Sequence, residues 1–498
     1  MSNIEPNVII PLAPSYNQRG TAGFTNSIVN GTDQKKVNCM YEPVTNQMTG
    51  KTSFILAKRP GVTVDAGSYG TSGWVAHLCC LKATPASLNA SDAWVFHTNG
   101  NDINVSDSAG STTIVTAAGF SPAYVDRTSI SGVDTVVLQL RASATSQTVW
   151  YSTTRPTWTQ ITDGDFQSGS TITGKMEFMD GWAFYLDNLG YINNSNINSL
   201  ANWTAGEKIQ KQVKQDIPLG LAKFSNQLLA FGSASFEIFI NAGNPSGSPL
   251  RTTKVTHPYG MIFPYDTNRT HYYTTALGKM YFLGIEGDGQ QRTSLYSYDG
   301  QRVEKASNNY IDEIIMNAPS ASAANLSVEH FNFHGRTAVA IRFDLNTATT
   351  QRWLMFFPEQ KEWFEWNSTV FMPVNGGNFF LGVGSNQHKL YAFGFTGNWQ
   401  DGGTSFTQRV QVKIPRKGSN RQFASMMGVT GDTDTSTNTL SMSWSDDDGV
   451  TFNTARDIDL TLADKTLTRC GAFRNRLVRL DSTNARETRL EALIARID

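Results

Sequence analysis

Cysteine is scarce in this chain of 498 residues: Cys39, Cys79, Cys80 and Cys470 are the only four. Apart from one adjacent pair they lie far apart, and none falls in a CxxC or Cys/His spacing that closes a zinc site. They read as reduced, mostly buried thiols of a protein assembled in a cytoplasm. An excess of charge of either sign is missing too. Lys plus Arg is 41 and Asp plus Glu is 42, a formal net charge of −1, whereas a protein that grips nucleic acid by neutralising phosphates carries a clear basic excess. DNA near this surface is expected to slide past. No run of 18 apolar residues occurs, and the start, Met1 to Pro6, has no basic stretch followed by an apolar one. Neither a membrane span nor a standard secretion signal is expected. Apolar periodicity of 3.6 residues is hard to find before the last fifteen residues, which argues against a helical architecture.

The motifs of common catalysis are also absent. There is no G-x-S-x-G elbow, P-loop, H-E-x-x-H, or G-x-G-x-x-G between a strand and a helix. The seven histidines, at 77, 97, 257, 271, 330, 334 and 388, are scattered. His330 and His334 are four apart, but Phe331, Phe333 and Gly335 place them in a strand-to-turn context without the shared helical face a metal would need. Glycosidase chemistry needs two carboxylates across a pocket, and nothing singles one pair out. A sialidase-type site would need arginines from several blades and a tyrosine nucleophile, and the central region is poor in arginine. No enzyme activity, metal or cofactor is expected.

What is present is a repeat. A short apolar run, a few turn residues and a second run rich in aromatics recur seven times, opening near Asp92, Asp134, Gly181, Asn226, Gly278, Gly335 and Gly377, at steps of 42 to 57 residues. Gly181 to Leu186 turns at Asp187–Gly190 into Tyr191-Ile192, and Gly278 to Leu283 leads on to Ser294–Tyr298. Asn378 to Leu381 is followed by His388 to Phe393. Aromatic and β-branched runs bounded by Gly, Asn and Asp are strand signals, and a period near 45 residues is the length of a four-stranded propeller blade. A long β-sandwich also places turns every few residues, but it leaves the longer period unexplained. The fold expected is all-β: an irregular seven-bladed β-propeller at 73–406, an extended N-terminal arm with ring-closing strands at 1–72, and a C-terminal β-sandwich-like module at 407–498.

Two features of the flanks stand out. Ser445, Asp447, Gly449, Thr451 and Phe452 match the Asp-box pattern S-x-D-x-G-x-T-[F/W], a folding device in which carboxylate and hydroxyl bond the hairpin's own backbone. Asp boxes recur in sialidase propellers, outside the active site. The second feature is basic: Lys58, Arg59, Pro60 and Gly61 form a charged turn, and Arg409, Lys413, Arg416, Lys417 and Arg421 form a run with no acidic residue. Further arginines follow at 469, 474, 476, 479, 486, 489 and 496. Such charge reads either as a solvated edge that discourages strand pairing or as a candidate interface with an acidic partner or with DNA.

Several stretches together resemble the packaged-DNA stabilisation or tail-hub proteins of short-tailed bacteriophages. The resemblance rests on Lys58 to Gly61, His257 to Tyr265, Leu277 to Gly284, Tyr298 to Gly300, Ile311-Asp312, Ser443 to Gly449 and Arg474 to Leu480. It implies a structural virion protein that assembles as a homo-oligomeric ring, expected to be a hexamer, below the portal and its adaptor. Such a ring extends and seals the DNA channel, retains the packaged genome, and offers docking sites for tail fibres, spikes or a needle. The partners implied are further copies of the chain, the portal-adaptor protein, fibre or needle proteins, and double-stranded DNA passing through the lumen. The location implied is the phage tail, without membrane insertion. The chain departs from larger nozzle proteins in showing no long inserted domain and no separate fibre-docking domain. The competing reading is a glycan-binding or sialidase-like propeller acting in host-surface recognition.

Overall fold

A computed structural model of the chain describes residues 7–12, 34–45, 52–66, 75–81, 93–107, 110–143, 145–154, 157–244, 246–262, 272–287, 293–317, 326–333, 336–343, 351–373, 379–382, 389–393, 399–414 and 420–498. Among these, the regular elements are strands except for one helix, Asn309–Met316, capped by the Asn308 side chain on the Ile311 amide. The chain divides into two compact units: one of residues 1–63, 362–368 and 393–498, the other of residues 64–361 and 369–392.

The second unit is a run of antiparallel meanders, the blades of a β-propeller. Its first sheet is Val75–Leu81, Ala93–Asn99, Asp102–Asp107 and Gly110–Thr116. The second is Ser121–Ile130, Val133–Arg141, Gln147–Thr154 and Thr157–Gln160, and the third is Ile172–Met179, Trp182–Asp187, Tyr191–Ser195 and Trp203–Gln210. The fourth is Pro218–Phe224, Gln227–Gly232, Phe236–Asn241 and Leu250–His257. In the fifth, the short strands Tyr259–Met261 and Tyr273–Ala276 share one edge of Lys279–Glu286, which continues to Ser294–Tyr298 and Val303–Lys305. Ser327–Phe333, Arg336–Phe343 and Gln351–Phe357 make a sixth meander, and Phe371–Pro373, Phe379–Gly382 and Leu390–Phe393 a seventh. The second strands begin at Ala93, Val133, Trp182, Gln227, Lys279, Arg336 and Phe379, each within two residues of an expected repeat opening.

Turn chemistry fixes these hairpins. Ser131-Gly132, Asp180-Gly181 and Leu277-Gly278 all take positive φ at both residues, the geometry whose twist matches two antiparallel strands. Packing then explains the apolar runs. Val136, Leu138 and Leu140 face a core shared with Trp94 and Phe96 of the first sheet, while Val137 between them faces a core shared with Ala183 and Tyr185 of the third. Phe184 and Leu186 point the other way, onto Leu221 and Leu228 of the fourth sheet. A blade strand covered on both faces has no polar side to show, so it reads as nearly continuous hydrophobicity.

The first strands of the second to sixth sheets converge, and an aromatic side chain fills the point of convergence. Tyr272, 3% exposed, donates from its hydroxyl to the Leu221 carbonyl at 2.9 Å and accepts from the Lys175 amide at 3.1 Å. Its ring meets Tyr124 edge to face. The hydroxyl fits only because Gly174 and Gly220 lack side chains: a Cβ on either would come within 2.7 Å of it.

The first unit contains two sheets. One runs Cys39–Thr45, Thr52–Lys58, Arg489–Ile497, Gln422–Gly431 and Thr466–Thr468, with Val8–Pro11 also paired to Arg489–Ile497. The other contains Glu362–Ser368, Gln34–Val37, Gln408–Ile414, Arg476–Ser482, Thr439–Ser445 and Arg456–Asp459 in that order. Strict alternation in Gln408–Ile414 buries Val410, Val412 and Ile414, and Met442, Val478 and Leu480 of its neighbours are buried with them. An arm at 1–72 and a module at 407–498 were expected; by compactness, residues 1–63, 362–368 and 393–498 group together. Strands at both ends of the chain satisfy each other's backbone groups, so the expected arm and module fold as one sandwich-like unit.

Gly174→Ala is expected to destabilise the propeller by on the order of 1–3 kcal/mol, because Gly174 has a φ of +68° and its Cβ would also meet the Gly220 Cα at 2.9 Å. Thermal unfolding compared with Gly164→Ala, where a Cβ meets nothing within 4 Å, checks this.

Candidate functional site

The basic turn at Lys58–Gly61 does not face solvent. Lys58 and Arg59, expected as candidate interface residues, are both 0% exposed within the chain itself. The Arg59 guanidinium makes a bidentate pair with Asp401, Nη1 to Oδ1 at 2.9 Å and Nη2 to Oδ2 at 2.6 Å. Its Nε donates to Asn38 Oδ1 at 3.0 Å, Nη2 also donates to the Asn367 carbonyl at 2.9 Å, and the Phe406 ring lies 3.8 Å away. Every donor has an acceptor, which is what a fully buried guanidinium requires. Ser368 Oγ donates to the same Asp401 carboxylate at 2.8 Å. Lys58 sits over the same Phe406 ring and donates to the Asn484 carbonyl. Burial, with the Arg59 charge beside it, pulls its pKa down to about 8, against the opposing pull of Asp401. Gly61 is needed because a Cβ there would lie 2.2 Å from the Gln400 carbonyl oxygen. The turn is a knot joining all three chain segments of its unit.

The other basic candidates are placed as follows. Arg409 pairs with Asp481 at 2.8 Å, Lys413 lies 3.6 Å from Asp448, and Arg421 is exposed. Arg416 and Lys417 lie outside the described residues. Ser445, Asp447, Gly449 and Thr451 form a closed turn: the Gly449 amide donates to Ser445 Oγ at 2.8 Å, and the Thr451 amide and hydroxyl donate to the Asp447 carboxylate at 2.9 and 2.5 Å. Hydrogen bonds from Ser445 and Thr451 hold the Asp447 pKa down to about 2. The Arg479 guanidinium stacks 4.1 Å from the Phe452 ring.

A second group of polar residues gathers beside Tyr272. Lys175 on the third sheet pairs with Asp126 on the second at 3.0 Å and with Glu177 two residues on at 3.3 Å. Tyr273 on the fifth sheet donates its hydroxyl to Glu177 Oε1 at 2.6 Å and accepts from the Lys223 amide of the fourth at 3.3 Å. On the sixth sheet, His330 Nδ1 lies 2.7 Å from Thr274 Oγ1, and Glu329 is buried near the charge of Arg342. Burial pushes both Glu177 and Glu329 up to about 7, with Lys175 opposing the first shift and Arg342 the second. Burial alone would lower Lys175, but Asp126 and Glu177 outweigh it and hold its pKa well above the usual value. Burial lowers His330, which is therefore a neutral hydrogen-bonding residue. His334 lies outside the described residues.

This network braces strands across the convergence and has no arrangement that marks catalysis. Among the described residues no group of three or more His, Cys, Asp or Glu is placed to hold a metal ion. Motif reasoning missed the network because its members are spread from 126 to 342. The local signal was a carboxylate next to apolar strand residues, Glu177 between Met176 and Phe178, and Glu329 after Val328.

Comparison with known proteins agrees with the architecture. The family model described as bacteriophage P22 Gp10, β-propeller, matches residues 89–370. No curated protein matches. Among solved structures, the chain is similar to a chain of the mitotic checkpoint complex at 10% identity, with 67% of this chain and 94% of that chain covered and a TM-score of 0.37. It is also similar to Aleuria aurantia lectin in complex with Fucα1-6GlcNAc, at 9% identity, 60% and 96% coverage and a TM-score of 0.32. A third is exo-β-1,3-galactanase from Phanerochaete chrysosporium with β-1,3-galactotriose, at 8% identity, 87% and 100% coverage and a TM-score of 0.30. At these TM-scores the likenesses carry no functional implication.

Two expectations follow from the geometry. Arg59→Ala leaves Asp401 buried and unpaired, and is expected to cost about 3–5 kcal/mol, read as a lowered denaturant midpoint. Burial holds Glu177 and Glu329 at about 7 in the folded protein, against 4.5 for an ordinary glutamate. The stability they favour is present below pH 4.5 and is lost as pH rises through about 7. The Glu329→Gln variant, which cannot ionise there, should gain on the wild type across that interval in unfolding measurements at stepped pH.

Proposed function

Since the chain belongs to the bacteriophage P22 Gp10 β-propeller family, a family of phage structural proteins, we propose that it is a non-enzymatic component of a short phage tail. In this reading several copies, six by the resemblance, form a ring below the portal and its adaptor. The ring extends and seals the DNA channel, retains the packaged genome and offers sites where fibres, spikes or a needle dock.

The observation that carries this reading is the family match, which runs from the second strand of the first meander through the sixth meander. Two further properties support it. A formal net charge of −1 suits a conduit that must release DNA quickly, since many phosphate contacts would hold it. A convergence filled by Tyr272 leaves the ring of subunits, rather than any single propeller, to surround the DNA. No helix among the described residues is long and apolar enough to cross a membrane. Lys58 and Arg59 are buried, and the reading therefore takes the run from Arg409 to Arg421 as the candidate contact with an acidic partner.

Electron cryomicroscopy of intact particles is expected to place six copies around the tail axis below the portal. Peripheral copies, or none, would overturn the role. Replacing Arg416 and Lys417 together by Glu is expected to lower particle yield while leaving the purified chain folded by circular dichroism, and an unchanged yield would remove this run from the docking surface.

A further inference from the structure

On one rim of the propeller, hairpin turns of the fourth and fifth sheets enclose an open cleft of about 660 Å³. Phe224, Asn226 and Gln227 line it from the fourth sheet, and Thr275, Asp299 and Gln301 from the fifth. The volume is within the range of small-molecule sites, roughly 300–1,000 Å³. The lining mixes amides, hydroxyls and one carboxylate with an aromatic wall.

The cleft is held in shape by bonds between the two sheets. Tyr298 donates its hydroxyl to Gln227 Oε1 at 2.9 Å, and Gln227 Nε2 donates to the Gly300 carbonyl at 3.3 Å. The Phe224 ring packs against Tyr298 with centroids 5.6 Å apart. Asp299 is fixed as well: its Oδ1 accepts from the amides of Gln301 at 2.9 Å and Arg302 at 2.7 Å. Those bonds hold its pKa below the usual carboxylate range, so it is ionised at neutral pH. Among the described residues no hydrogen bond is made to Oδ2, which leaves one oriented acceptor for a ligand.

We propose that this cleft binds a neutral oligosaccharide. A fixed carboxylate oxygen accepts from sugar hydroxyls, the side-chain amides of Asn226 and Gln301 both donate and accept, and Phe224 offers an apolar wall to the C–H face of a ring. No cation lines the cleft, and Lys279, whose charge reaches Asp299, is already paired with Glu304 at 3.1 Å, so an anionic ligand would meet the Asp299 carboxylate with little to offset the repulsion. The site is independent of any role in the tail, because it lies within one chain.

The test uses the purified full-length protein and saturation-transfer-difference NMR against panels of neutral oligosaccharides, sialylated oligosaccharides and short peptides. At least one neutral oligosaccharide is expected to bind saturably, and Asp299→Asn and Asn226→Ala are each expected to weaken it by about tenfold. Should Asp299→Asn disturb its turn, Thr275→Trp serves instead: Thr275 is exposed, and the indole would fill the cleft and abolish binding with the melting temperature unchanged. Absence of saturable binding of any neutral oligosaccharide at about 10 mM would overturn the proposal. So would binding that survives Thr275→Trp, preference for the sialylated panel, or binding of the peptides alone.

Discussion

The bidentate pair between Arg59 and Asp401 joins groups 342 residues apart in sequence and lies wholly out of water. Taking both charges from solvent costs several kcal/mol each, so the pair holds only while every donor and acceptor around it is used. Asn38 meets Arg59 Nε through its Oδ1 and donates through Nδ2 to Asn367 Oδ1 and the Thr407 carbonyl, both at 2.8 Å. The Asn367 amide in turn donates to Asn38 Oδ1 at 2.9 Å. Three stretches of chain are thus held in one register by a planar guanidinium, which a lysine with its point charge could not reproduce.

Legibility in the sequence followed the range of the interactions. Hairpins are local, and their turns carry their own signals, so all seven meanders were readable from apolar runs bounded by Gly, Asn and Asp. The Asp box was readable for the same reason, since its bonds span at most four residues. The knot was not. A Lys-Arg-Pro-Gly turn looks like exposed charge until Asp401 and Phe406 are brought to it from the far end of the chain. The last fifteen residues were where helical periodicity was to be looked for, yet Arg489–Ile497 is a strand, because partners on both sides outweigh local preference. The helix at Asn309–Met316 was too short for its period to stand out.

The propeller places its polar and apolar interiors in different positions. Between the sheets the packing is almost wholly apolar, with Trp94, Phe184 and Phe231 in separate clusters. Where the first strands converge the chemistry changes to tyrosine hydroxyls, carboxylates and a lysine. Strands meeting at a point leave little width for large side chains from each, and glycine from two of them with tyrosine from a third resolves the crowding at Gly174, Gly220 and Tyr272. The polar groups beside them tie sheets two, three and five into a single hydrogen-bonded unit.

The pairing of Arg489–Ile497 with both Val8–Pro11 and Thr52–Lys58 also sets an order of events during synthesis. At roughly 5–20 residues per second, Val8–Pro11 and the outer edge of the hairpin formed by Cys39–Thr45 and Thr52–Lys58 wait on the order of tens of seconds before their partner leaves the ribosome. Seven meanders made of near neighbours are translated in that interval and need nothing from the C-terminus to pair. An unpaired strand in a crowded cell invites wrong partners, and the composition of the first sixty residues suits the wait: short apolar stretches set among polar and turn-forming residues. Completion of the first unit therefore waits on the translation of Arg489–Ile497, long after the strands it pairs with have been made.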